Sequence, residues 1–356
     1  MFDCSKDVIA FHNVKVTLGN DDQANMRARR KANRDRLKKG LESKKDPLPL
    51  EHVSQGSYAM RTMIQHDDND YDIDDGVYFA MADLVGPQGG DKSALDTRKM
   101  VRDAVDDGSF KKPPEVRNNC VRVYYDAGYH VDLPSYRKVI TKDWFGQEQV
   151  HYELASTSWI RSDARDVTKW FDGQNQTQSP DDSNGRQLRR IVRYIKKFAK
   201  SRTTWRSQVL SGFGITKLVT ECYRQSADRD DIALYDTMNA MMERLAYNLV
   251  VKHPVTPDST ITNGTDDPKA KFLRSKLIDA ISCLAKTQES ECSNKDALKC
   301  WDKVFLTDFF YSRYDEPNTT NESTESMPAF TAGLISVSLE KSQEEAVRKQ
   351  GGGRFA

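Results

Sequence analysis

Residues 55–79, QGSYAMRTMIQHDDNDYDIDDGVYF, decide how the chain is read. Asp72 and Asp74 are two apart, and a strand sends every second side chain to one face. Both carboxylates therefore point one way, with Tyr71 and Ile73 on the other face. Two acids on one face make a divalent-cation site. Oxygen-only donors suit a hard cation, magnesium first and manganese as the alternative, which shares its coordination shell with substrate phosphates. About fifteen residues earlier stands Gly56-Ser57. There a missing Cβ lets a phosphate approach the backbone N–H groups, and a helix opening at Tyr58 adds the positive end of its dipole.

Each half is commonplace alone, since Gly-Ser is a turn dipeptide and aspartates at i, i+2 usually line a solvated strand. Their order and surroundings carry the argument. Val53 leads into the turn and Gly76-Val77-Tyr78-Phe79 leaves the acids, which predicts strand, turn, helix, strand. The combination reads as the metal and triphosphate site of a nucleotidyltransferase. Farther on, CVRVYYDAGYHVDL (120–133) predicts a hairpin turning at Asp126-Ala127-Gly128. Tyr129, Val131 and Leu133 share one face of its second strand, and His130 and Asp132 the other. Asp132 can thus stand beside the Asp72/Asp74 pair as a third carboxylate, and Pro134 closes the strand.

The chain has 356 residues, enough for two domains with cores of ordinary size. With 54 Lys and Arg against 53 Asp and Glu, no global field favours nucleic acid or an acidic membrane. No apolar run nears the roughly 20 residues that span a bilayer. The N-terminus, MFDCSKDVIAFHN, has no basic stretch before an apolar one, so the expected compartment is the cytoplasm. Cysteines 4, 120, 222, 283, 292 and 300 show no metal spacing and read as reduced thiols.

A short strand is expected at Asn13–Thr17. A basic helix follows, capped by Asp21 or Asp22, packing through Ala24, Ala28, Ala32, Leu37 and Leu41 and ending before Gly40. Its cations, Arg27 through Lys39, read as a solvated face partly paired with Asp35 and Glu42, so nucleic acid is not required. GPQGGDKS (86–93) is a surface loop or a lid, with a helix over Ala94–Val105. The polar run DGQNQTQSPDDSNG (172–185) marks the domain boundary. In RQLRRIVRYIKKFAK (186–200), Leu188, Ile191, Val192, Ile195 and Phe198 form a buried stripe. Lys196 borders that stripe and is the expected phosphate contact, whereas Lys197 lies opposite as a solvated charge. Helices are also expected at Gly214–Cys222, Ile232–Val251 (its methionines filling core), Phe272–Ala285 and Asp296–Phe310. The domains so read are 1–172, 173–315 and a polar tail, 316–356.

With QGS, DIDDG and HVDLP in order, then SWIRSDARDVTKWF and a basic helix leading to LSGFG, residues 50–310 resemble the bacterial cGAS/DncV-like nucleotidyltransferases. The resemblance implies an α+β fold: a polymerase-β-like core, a mixed sheet with flanking helices, packed on an α-helical C-terminal domain with the substrate cleft between them. It implies an enzyme that joins nucleoside triphosphates, ATP with GTP or a pyrimidine nucleotide, into a cyclic dinucleotide, a cyclic trinucleotide being the alternative. Such signals activate a separate effector in anti-phage systems. By position, Gln55, Gly56 and Ser57 would hold the donor triphosphate. Asp72 and Asp74 would bind two magnesium ions, and Asp132 the ion that activates the attacking hydroxyl. Lys196 and Ser211 resemble triphosphate contacts of the helical domain, although Ser211-Gly-Phe-Gly departs from the family's serine-rich segment. The terminal GGGRFA resembles ends that a ubiquitin-like conjugation enzyme joins to targets. Weaker readings are an RNA-end nucleotidyltransferase and a silent nucleotide-binding module; three converging acids, costly without a cation, argue against the second.

Overall fold

The structure is a computed structural model that describes residues 1–66, 72–126 and 128–314. Tyr71, Ala127 and the expected tail from 316 lie outside the described residues. Chain order begins with α1 (Ser5–Phe11), α2 (Asn20–Lys44), β1 (Glu51–Gln55), α3 (Gly56–Ala59), β2 (Asp72–Ala80) and α4 (Ala94–Val105). Then come β3 (Glu115–Val116), β4 (Val121–Tyr124), β5 (His130–Leu133), β6 (Ser135–Lys142), β7 (Glu148–Ala155) and β8 (Trp159–Arg161). The helical half comprises α5 (Ala164–Gln178), α6 (Gln187–Lys200), α7 (Gly212–Cys222), α8 (Asp230–Tyr247), α9 (Pro268–Leu284) and α10 (Asn294–Phe305).

The sheet is mixed, in the order β3-β4-β5-β2-β6-β7-β8 with β1 on β2. β2 runs parallel to both β5 and β6 and antiparallel to β1. Pro134 separates β5 from β6, its carbonyl accepting from Val77 N–H at 2.8 Å. One sheet face packs Ile73, Val77, Phe79, Val121, Val123, Val131 and Leu133 against Met26, Leu37 and Leu41 of α2 and Met100, Val101 and Ala104 of α4. Burying that apolar surface, at about 25 cal/mol per Å², holds the two helices on the sheet.

A second core lies among the helices. Leu188, Ile191, Val192, Ile195 and Phe198 are all buried in it, as their 3.6-residue spacing requires, together with Met238 and Met241. Cys4, Val8, Phe11 and Val16 belong to this core too. The division of packing therefore differs from the expected 1–172 unit: the first residues of the chain pack with its helical half.

Other departures have local causes. In place of the strand expected at Asn13–Thr17, His12–Val16 form a turn of π-helix that continues α1, with Thr17 N–H donating to His12 O at 2.8 Å. α2 runs past Gly40 to Lys44, where left-handed Lys45 (φ 59°) ends it. Gly40 lies where α2 closes on α4, and a Cβ there would meet the Ala104 carbonyl. Of the expected packing stripe of α2, Leu37 and Leu41 are buried, but Met26, Arg29 and Asn33 take the buried positions expected of Ala24, Ala28 and Ala32. Its cations are only partly solvated: Arg29 stacks on Tyr129 and Arg34 pairs with the buried Asp75, while Lys31 does pair with Asp35 and Lys38 with Glu42. The polar run from 172 stays helical to Gln178, because Asn175 is buried and its amide bridges Gly185 O and Arg189 N–H. The 86–93 loop sits at the β6 edge, where Asp91 pairs with Arg137 at 2.9 Å and Lys92 O accepts from Trp159 Nε1 at 3.1 Å.

Candidate active site

β1 ends at Gln55 and the chain turns into the single helical turn of α3. Gly56 adopts φ +65°, which a side chain resists, and a Cβ there would collide with Asp74 Oδ2. The space that the sequence reserves for a phosphate is thus also the space that seats the Asp74 carboxylate. Gln55 is buried, its Oε1 accepting from Tyr136 Oη at 3.0 Å. Ser57 O accepts from Thr62 N–H at 2.8 Å, which closes the turn.

The carboxylates meet through sheet register. Asp74 on β2 stands opposite Asp132 on β5, and Asp72 opposite His130. Ile73 and Val131 point into the core from the same strands, so pleating sends the acids to the cleft side. Burial, then Asp72 and Asp132, push the Asp74 carboxyl well above its ordinary range, with Arg122 opposing. Arg122 on β4 grips Asp132 in a two-pronged pair, Nε to Oδ1 and Nη2 to Oδ2, both at 2.7 Å. Its Nη2 also lies 3.8 Å from Asp72 Oδ2. The acids are therefore not uncompensated without a cation, contrary to the expectation that their repulsion alone demands one.

The residues fit a divalent ion. Asp72, His130 and Asp132 each offer one ligand atom, and these lie within 4.8 Å of one another. Asp72 Oδ1 is buried without a hydrogen bond among the described residues, 3.4 Å from His130 Nε2. His130 sets an imidazole nitrogen beside the oxygen donors expected from sequence, a combination that also suits manganese or another ion that accepts nitrogen.

Asp72 and Asp74 line a cleft of about 460 Å³ between the sheet and the helical half, and register sets Asp132 beside Asp74. Gln55, Gly56, Ser57, Thr62, Asp72 and Asp74 form one wall; Lys196, Lys200, Gly212, Phe213 and His253 face them. Lys196 is buried, its ammonium donating to Thr62 Oγ1 at 2.9 Å and Thr62 O at 3.2 Å. Burial, then Lys200 and Arg193, hold it at about 7. Lys197 is not a free solvated charge, since it donates to Gln65 O at 3.2 Å and lines a smaller recess beside the cleft. Ser211 does not line the cleft. It caps α7, its hydroxyl accepting from Gly214 N–H at 3.1 Å, and the two residues after it take the place expected of it.

Sequence reading missed Arg122, His130, Thr62, Lys200, Phe213 and His253. Arg122 was within reach: it and Asp132 are equally far from Ala127, so a symmetric hairpin pairs them, as the register does. Phe213 and His253 meet across 39 residues of intervening chain, with ring centroids 5.3 Å apart, and no local pattern connects them.

Residues 50–136 match the family described as Cyclic GMP-AMP synthase DncV-like, nucleotidyltransferase domain. Among solved structures, the apo di-nucleotide cyclase DncV of Vibrio cholerae superposes with a TM-score of 0.65 at 18% identity, covering 85% of this chain and 95% of that one. The same protein bound to the linear intermediate 5' pppA(3',5')pG gives 0.63 at 18% identity over 86% and 96%. CdnC of E. coli with ATP gives 0.61 at 16% identity over 86% and 98%. At such identities the likeness concerns the fold.

Proposed function

We propose that this chain, whose residues 50–136 match the DncV-like nucleotidyltransferase domain family, joins nucleoside triphosphates by metal-dependent nucleotidyl transfer and closes the product into a cyclic oligonucleotide. A cyclic dinucleotide is the leading product. The observation that carries the reading is the convergence of Asp72, Asp74 and Asp132 through sheet register, with Asp72, Asp74 and the buried cation Lys196 lining one cleft large enough for nucleotides. Structures of the related fold with ATP and with a linear pppApG support it.

The residues divide the work by chemistry. Gly56 and Ser57 offer backbone N–H groups to a triphosphate, and Lys196 and Lys200 supply positive charge from the helical side. Phe213 and His253 give a base a flat wall. Divalent ions held by Asp72, Asp74 and Asp132, magnesium first, would supply charge neutralisation and a more acidic attacking hydroxyl. Asp132 orients that hydroxyl toward the α-phosphorus. Pyrophosphate leaves along the lysine side, and no covalent enzyme intermediate is required. After one transfer the linear product must turn in the cleft for the second. Its signal would then act on a separate effector, in the cytoplasm and in anti-phage defence.

Incubating the protein with four NTPs and magnesium, followed by phosphatase and mass spectrometry, tests this directly. The wild type should give a phosphatase-resistant cyclic product, and Asp72→Ala/Asp74→Ala none while remaining folded. Undiminished synthesis by the folded double variant would sink the assignment.

A further inference from the structure

Register places one row of side chains across five strands: Glu115 on β3, Arg122 on β4, Asp132 on β5, Asp74 on β2 and Gln55 on β1. Directly opposed residues in such a row share a face, so Arg122 stands between two acids, with Glu115 on one side and Asp132 on the other. In this structure its hydrogen bonds, among the described residues, go to Asp132 alone. Glu115 meanwhile accepts from Tyr124 Oη at 2.5 Å and pairs with Arg117 at 3.2 Å.

We propose that Arg122 is a built-in counter-cation of the carboxylate cluster, and that divalent-ion loading is an exchange in which its guanidinium leaves Asp132 and moves to Glu115. The inference rests on the reading of Asp72, Asp74 and Asp132 as a cation site. Its physical basis is competition. The guanidinium occupies both oxygens of Asp132 and, through Nη2, lies 3.8 Å from Asp72, which bridges two of the acids that would ligate an ion. A doubly charged ion at the same carboxylates is repelled by a fixed positive charge a few ångströms away, and a carboxylate shared with arginine is a poorer ligand. Arg122 can yield because its head group is held by Asp132 and not walled in, its side chain keeping 22% of its surface. Glu115 is the acid next in the row, so the displaced charge remains paired. The exchange keeps the cluster neutralised in both states and raises the ion concentration at which the cluster loads.

The test reads ion binding without turnover. Mn2+ affinity is measured by electron paramagnetic resonance on the full, nucleotide-free chain, alongside thermal unfolding in EDTA and in Mn2+. Arg122→Met should bind Mn2+ about ten-fold more tightly, the equivalent of a partly screened charge repulsion. It should also melt lower than wild type in EDTA and gain more from added Mn2+. Arg122→Lys, which keeps a point charge without the fork, should fall between the two and stands in should Arg122→Met not fold. Glu115→Gln should weaken Mn2+ binding by about three-fold, and have no effect once Arg122 is Met. Equal or weaker Mn2+ binding by the arginine variants overturns the exchange. An unchanged Glu115→Gln overturns the landing place. Failure of the wild type to bind Mn2+ removes both this inference and the metal site it rests on, whereas wild-type binding that Arg122 does not affect removes the inference alone.

Discussion

Replacing Lys196 with Met keeps most of the apolar stem and deletes the ammonium, and the outcome should depend on pH. The ammonium is buried, donates to Thr62, and is held at about 7, by burial first and then by Lys200 and Arg193, against an ordinary 10.5. That gap corresponds to about 5 kcal/mol of native-state penalty, at ~1.4 kcal/mol per tenfold. Below pH 7 the lysine is protonated in both folded and unfolded chains and the penalty is complete. Between pH 7 and 10.5 the unfolded chain binds the extra proton, so wild-type stability rises with pH; near pH 9 about 2 kcal/mol of penalty remains. Methionine leaves the Thr62 carbonyl and hydroxyl without this donor, at a cost of about 2 kcal/mol. Lys196→Met should therefore exceed wild type by about 3 kcal/mol at pH 6 and match it near pH 9. Urea unfolding of nucleotide-free protein, followed by fluorescence of Trp205 and Trp301, measures both values. A variant less stable than wild type at pH 6, or a difference that ignores pH, would refute the reasoning. The same substitution should raise the KM for NTP, since a triphosphate is what makes a charged Lys196 favourable.

Gly56→Ala forces a side chain into positive φ and against Asp74, so synthesis should fall by at least about 100-fold, the effect of displacing a reacting group by about 1 Å; half the wild-type rate would contradict the geometry. Gly40→Ala, far from the cleft, should cost about 2 kcal/mol by prising α2 from α4, read by urea unfolding, with KM unchanged. Arg34→Met strands the fully buried Asp75 and should destabilise by about 3–5 kcal/mol, most of which Asp75→Asn restores in the double variant. Nuclease-treated enzyme should keep its full rate, because Arg29 and Arg34 of α2 are spent on Tyr129 and Asp75; a requirement for added duplex would overturn this.

What was legible in the sequence was whatever a period or a mirror axis encodes. Alternation at Asp72-Ile73-Asp74 and at Val131-Asp132-Leu133 separates core from cleft faces, and the stripe of α6 appears residue for residue. Gly40 misled because the signal for a helix end and the signal for close helix packing are the same missing Cβ. The strand expected at Asn13–Thr17 failed because Phe11 and Val16 are pinned in a core made mostly of residues beyond 160, which overrides a local β preference. Lys197 was misjudged for a related reason: the helical wheel gives its angle, but not the Gln65 carbonyl that a different segment brings to it. Electrostatic partners such as Arg34 with Asp75 follow from tertiary placement, for which one sequence holds no ruler.

The seating of the first residues in the helical half has a consequence for how the molecule is made. Phe11 lies against Phe305 and Phe310, with ring centroids 4.7 and 4.8 Å away, and the Val8 carbonyl accepts from Tyr194 Oη at 2.9 Å. On the ribosome these residues emerge long before their partners, while the strands from 51 to 161 can already assemble. Joining Phe11 to Phe305 then closes a loop of nearly the whole chain, at an entropic cost of about 5 kcal/mol. A nascent chain halted before Phe305 carries the Phe11 flank bare, a ready handle for chaperones and proteases. The wall that bears Lys196 gains its full support only when translation has passed α10, since Trp301 and Phe305 share the core of α6.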